Sequence, residues 1–165
     1  MKNKRTLLFI PIIITAFIIN SCKKDNQTTI KALFSYGSWE LASVIVTKYT
    51  GNTIDTTYQL NTNCNLTQKF TFNSNGTCSY TNFDCIPQTS APASWSLTTN
   101  QLYLQTNITC TDTVKKDNSQ PFSYAQIYTL GQFSMVLITG DVTPNYSLTQ
   151  PRTQYTYGFI RRTGN

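Results

Sequence analysis

Five cysteines, Cys22, Cys64, Cys78, Cys85 and Cys110, are the residues of this chain best suited to chemistry. A cysteine can attack as a thiolate, ligate a metal or close a disulfide. Attack needs an activating base, and the sequence contains no histidine. The same lack removes the imidazole of a hydrolytic triad and the commonest metal ligand. A zinc site needs close pairs such as Cys-x-x-Cys, whereas the two nearest cysteines, Cys78 and Cys85, are seven positions apart. The seven carboxylates, Asp25, Glu40, Asp55, Asp84, Asp112, Asp117 and Asp141, form no calcium-loop pattern. No residue is singled out as catalytic, no metal ligands are expected, and neither is a cofactor or an enzymatic activity. The cysteines read instead as attachment and architecture.

Attachment concerns the first two dozen residues. Lys2, Lys4 and Arg5 precede an uncharged run, Thr6 to Ile19, that is shorter than the roughly 20 residues a membrane helix needs. A basic start, a short apolar run and small residues describe a secretory leader. Its end, Ile19-Asn20-Ser21-Cys22, resembles the lipobox of bacterial lipoproteins. That resemblance implies removal of residues 1–21 and lipid such as palmitate on Cys22, with the membrane as partner through that anchor. Several acyl chains hold a membrane firmly where one binds marginally. Lys23-Lys24-Asp25 resembles the charged export signals of surface lipoproteins of the Bacteroidetes. The implied location is the cell envelope, as an outer-membrane lipoprotein exposed at the cell surface if that export signal operates. Residues 22–32 are polar and aperiodic and are expected to form a flexible tether, leaving 33–165 as one domain.

Of the 13 Lys and Arg, three lie in the leader, leaving ten against seven acidic residues. The remaining charges are scattered. Lys115-Lys116 and Arg161-Arg162 are pairs rather than a basic block, so no nucleic-acid partner is expected. Charged residues make up only 12% of the chain and aromatics 13%, with Thr, Tyr, Phe, Val and Ile prominent. Those residues suit strands, and the expected class is all-β.

Eight strands are predicted: Trp39 to Ile45, Leu66 to Phe72, Thr77 to Phe83, Trp95 to Thr98, Leu102 to Ile108, Phe122 to Leu130, Phe133 to Thr139 and Gln154 to Arg162. Gly51 to Leu60 reads as a looser stretch. Most strands follow one another in hairpins, an antiparallel meander that can remove its edges by closing into a barrel. A sandwich would need longer crossings than most connections here provide. An eight-stranded barrel is filled by side chains or holds one small ligand.

The four cysteines left by Cys22 form an even set in an exported chain, read as two disulfides. If Asn73 pairs with Gly76 across the turn, paired positions sum to 149 and Cys64 faces Cys85. A bulge would shift this register by one residue. By elimination Cys78 would join Cys110. In the same register Phe70 and Phe72 share a face with Thr77, Ser79 and Thr81, while Trp95 and Leu97 oppose Leu104 and Leu102. Inward-facing hydroxyls would leave room for a ligand among Trp39, Leu41, Phe70, Phe72, Trp95, Leu97, Leu102 and Leu104. If the hairpin is bulged, Cys78 and Tyr80 point inward instead and the interior is filled.

Gly37-Ser38-Trp39-Glu40-Leu41 is similar to the Gly-x-Trp motif of lipocalins. Cys64, the run Phe70 to Thr77, Cys85, Ser94 to Leu97 and Leu102 to Leu104 resemble the lipocalin-like domains of Bacteroidetes lipoproteins, over about residues 33–163. The Thr-Asp pair of the central lipocalin motif has no match near 110–120, where Asp112-Thr113 reverses it. The resemblance implies a lipocalin-like barrel with Trp39 at its base and Arg161 or Arg162 packed over the indole. It also implies non-catalytic binding of a small apolar or amphipathic ligand. The alternative is a filled barrel whose outer surface contacts envelope or host molecules. Asp55-Thr56-Thr57 and Asp112-Thr113-Val114 resemble Bacteroidetes O-glycosylation sites.

Overall fold

The computed structural model describes residues 26–60, 64–112, 117–142 and 147–161. The expectations for the leader, Cys22 and Arg162 fall outside them. Helix α1 (Asn26–Ser35) is followed by β1 (Ser38–Thr50), β2 (Thr53–Leu60), β3 (Lys69–Phe72) and β4 (Thr77–Thr81). A single 3-10 turn (Phe83–Cys85) leads to β5 (Ala93–Leu97), β6 (Tyr103–Thr106), β7 (Cys110–Asp112) and β8 (Asp117–Ser119). Strands β9 (Ala125–Leu130), β10 (Ser134–Gly140) and β11 (Pro151–Ile160) complete the chain.

The all-β class is realised as a ring of eight antiparallel strands, β1-β3-β4-β5-β6-β9-β10-β11, closed by pairing of β11 with β1. The chain forms more strands than the eight expected. Strand β2 pairs with the far half of β1, beyond the reach of β3, and β7 and β8 make a separate ribbon. Seven of the eight residues of β2 are exposed, so it has no buried face to imprint an alternating pattern on its sequence.

The register of β1 explains how one strand lines two levels of the ring. Trp39 and Leu41 face inward at odd positions, Val44 and Val46 at even ones. A bulge between Leu41 and Ser43 inserts one residue and switches the parity. Opposite the bulge sits Gly158, where an added Cβ would lie 2.5 Å from the Ser43 Oγ. Glycine is what allows β11 to approach a bulged strand.

The β3–β4 turn is also bulged. Asn73 N–H donates to Thr77 O (2.8 Å), and Gly76, at φ 86°, makes a three-residue loop ending in the left-handed region. Paired positions therefore sum to 150, as in Phe70↔Tyr80 and Phe72↔Cys78, not to 149. Cys78 and Tyr80 point inward, and the hydroxyl strip expected to line a cavity points away. The β5–β6 hairpin shifts too. Asn100 Oδ1 accepts from the Leu102 N–H and the Thr98 hydroxyl, Gln101 takes φ 56°, and the loop grows to four residues. Leu97 then faces Leu104 and Trp95 faces Thr106, while Leu102 is 55% exposed.

Two aromatic layers fill the interior. Phe34, Phe72 and Trp95 form a triangle with centroid separations of 5.5–5.6 Å. Phe70 touches Tyr80, Phe83, Phe122 and Phe159 at 5.4–6.0 Å. Residues 26–32, expected within a tether, belong to α1. Ile30, Leu33 and Phe34 share one face at helical spacing, and Phe34 plugs the ring as a fully buried ring.

Candidate functional site

The two ends of the ring differ. At one end Trp39 is fully buried and its Nε1–H donates to Phe34 O (3.0 Å). The Arg161 guanidinium stacks over that indole at 3.9 Å. It donates through Nη1 to Gln132 O (2.7 Å) and through Nη2 to Leu33 O. One cation thereby ties the last turn of α1, whose carbonyls have no helical partner, to the β9–β10 loop and the base of β1. Burial lowers the Arg161 pKa, and an arginine this basic remains charged. This end is a closed structural base.

Farther along β1 and β11, past Val44 and Tyr157, a cleft of about 450 Å³ opens. Its floor and walls include Val44, Val46, Leu60, Phe83, Tyr155 and Tyr157, with Asp84, Ser119, Gln120, Ser123 and Thr139 supplying polar groups. The size lies in the range of small-molecule sites, and so does the mixture of aliphatic and aromatic walls with a few polar groups.

None of the eight residues expected to line a cavity borders this cleft. Trp39, Leu41, Phe70, Phe72, Trp95 and Leu104 are buried in the packed core, Leu97 packs against it, and Leu102 lies outside. The bulge at Leu41–Ser43 explains the displacement, because it turns Val44 and Val46 inward beyond the expected strand. The alternation of Tyr155 and Tyr157 in the last strand is a signal that would have pointed to the opposite wall.

Cys64 and Cys85 form a disulfide, with Cα atoms 5.4 Å apart. The register that suggested the pair is not the one present, and both cysteines lie outside the hairpin strands. The bridge instead joins the segment before β3 to the 3-10 turn. Asn82, Asp84 and Cys85 there have φ of 57°, 55° and 59°. Left-handed backbone costs a non-glycine residue about 1–2 kcal/mol.

Cys78 and Cys110, expected as a second disulfide, are buried and not joined. Cys78 sits across from Phe72 and Ala93. Cys110 lies beside Tyr80, whose hydroxyl is 2.6 Å from Gln88 Oε1 and 3.1 Å from Thr109 O. Burial pushes the Cys78 thiol up to about 11 and the Tyr80 hydroxyl to about 12, the latter also raised by Cys110. A thiol so disfavoured as thiolate is a core group, not a nucleophile. Unfolding would release both protons nearer the ordinary 9.0 and 10.0. Stability should therefore fall as pH rises beyond about 9, seen as a lower urea midpoint at about pH 10.5 than at about pH 8. An unchanged midpoint would mean that these groups meet water in the folded chain.

Among the described residues, no group of three or more Cys, Asp or Glu is placed to hold a metal, and no helix is long and apolar enough to cross a membrane. No protein-family model, curated protein or solved structure matches the chain.

Proposed function

We propose that this chain is a cell-envelope lipoprotein, anchored through lipid on Cys22, whose lipocalin-like barrel binds a small apolar or amphipathic molecule without catalysis. The observation that carries the reading is the 450 Å³ cleft between β1, β11 and the 3-10 turn. Its aliphatic and tyrosine walls suit an apolar body, and the polar groups suit a head group. A base sealed by Trp39 and Arg161, with a cleft toward the other end, fits a cup that admits ligand from one side.

The test uses N-phenyl-1-naphthylamine, a neutral probe that fluoresces in apolar surroundings. Titration should saturate, and Val46→Trp, which fills the cleft, should weaken binding at least about tenfold, equivalent to about 1.4 kcal/mol. An absent signal, or equal binding by the filled variant, would overturn the ligand reading. In the native host, Cys22→Ala should release the protein from membranes; full retention would reject the anchor.

A second reading rests on the outer surface. Tyr103 stacks at 4.6 Å on Tyr124, which also borders the cleft, and Leu102 and Tyr128 are exposed nearby, the latter at 69%. With the lower interior packed, such a surface suits contact with envelope or host molecules. It gains the stronger claim if the probe fails to bind.

A further inference from the structure

Phe83 and Asp84, which border the cleft, lie in a densely strained stretch of backbone. Left-handed residues at Asn82, Asp84 and Cys85 persist only where surrounding contacts over-determine them. The backbone pairs Asn82 N–H to Gln88 O (2.7 Å) and Ile86 N–H to Phe83 O (3.2 Å) shape the turn, and three further holds tie it down. The Asn82 side-chain amide donates to Thr67 O (3.0 Å), and the Gln88 amide donates to Phe83 O (2.8 Å). The third is covalent: Cys85 is bonded to Cys64. Both cysteines are partly exposed, so a small thiol can reach the bridge. The nearly buried Gln68 amide Nε2 lies 3.5 Å from the Cys64 sulfur and 3.8 Å from that of Cys85.

We propose that the Cys64–Cys85 disulfide is a thiol-operated latch on the cleft. With the bridge intact, the strained segment holds Asp84 in the wall. When it opens, the left-handed residues relax toward extended backbone, the wall moves, and ligand is held less tightly. The operating chemistry is exchange with a dithiol. One thiolate attacks a bridge sulfur, forming a mixed disulfide and releasing one cysteine thiolate. The second thiol of the reagent then displaces the other cysteine. Two electrons and two protons pass to the protein, which gains two thiols, and the reagent leaves as its cyclic disulfide. The inference rests on the cleft being the ligand site.

The experiment compares the oxidised full chain, the same chain reduced with dithiothreitol, and Cys64→Ser/Cys85→Ser. Amide hydrogen exchange reads the latch without any ligand, and N-phenyl-1-naphthylamine titration reads the cleft. Exchange over residues 82–88 should accelerate at least about tenfold on reduction, while β10 and β11 keep their protection. Probe affinity should fall about five- to tenfold in both bridge-free forms. Unchanged exchange at 82–88 overturns the latch whatever the probe does. So does acceleration spread over the whole ring, which would make the bridge a general staple. Accelerated exchange with unchanged affinity overturns the link to ligand. An oxidised chain that binds no probe overturns both this inference and the ligand reading, while the exchange result still reports separately whether the segment is held by the bridge. Should the double variant fail to fold, the reduced native chain carries both measurements.

Discussion

Trp39→Ala is expected to lower the melting temperature by about 10–20 °C, near the largest effect of any single substitution in this chain. The indole is fully buried, and deleting a ring of that size from a core costs about 3–5 kcal/mol. Two further losses follow from its neighbours. The Phe34 carbonyl loses the donor that reaches it at 3.0 Å, and Arg161, only 7% exposed, loses the ring beneath it. Stacking of the guanidinium on the indole is worth roughly 0.5–2 kcal/mol, so packing decides the magnitude and the cation adds to it. A double-mutant cycle separates the two. Trp39→Ala and Arg161→Met should each destabilise, and together by less than their sum, with a coupling of about 1 kcal/mol. Coupling near zero in thermal or urea unfolding would reduce Arg161 to its two carbonyl contacts.

The base of the ring was more legible in the sequence than its mouth. The packing of Arg161 over Trp39 was expected only through the resemblance to lipocalins, which left Arg161 and Arg162 both open, and the contact falls on Arg161. The all-β class also followed directly from residue types. Bulges were not legible. Nothing in Leu41-Ala42-Ser43 announces an extra residue, yet it reverses which side chains face inward from Val44 onward and so moves the cleft. Gly76 marked a turn without saying whether two or three residues form it, and that single residue exchanged an inward hydroxyl strip for Cys78 and Tyr80. The Cys64–Cys85 pair was reached through a register that does not exist, because the 3-10 turn brings Cys85 back by a different route. Helix α1 escaped notice because its apolar stripe is only Ile30, Leu33 and Phe34, and its last turn is held by Arg161, 128 residues away in sequence.

Phe70→Ala is expected to cost about 3–5 kcal/mol and to remove much of the near-ultraviolet circular dichroism of the folded state. The argument lies in where the ring sits. Phe70 is fully buried and meets Phe83 and Phe122 edge-on, at 6.0 and 5.4 Å. Phe122 in turn packs on Tyr157 at 4.8 Å, and Tyr157 and Phe83 border the cleft. Removing roughly 100 Å³ of side chain at about 24 cal/mol per Å³ contributes about 2.4 kcal/mol in cavity cost, before transfer and ring–ring terms are added. Phe70→Leu, which keeps most of the volume, should cost distinctly less, about 1–2 kcal/mol by the same reasoning. The connection through Phe83 and Phe122 adds a ligand readout to the stability one. If the two rings settle into the vacated space, the floor of the cleft drops, and the alanine variant should accept a bulkier naphthylamine than the parent. If they stay in place, the void is sealed: stability falls by the full amount and probe selectivity does not change. The packed layer is then a rigid foundation for the cleft, mechanically separate from what the cleft holds.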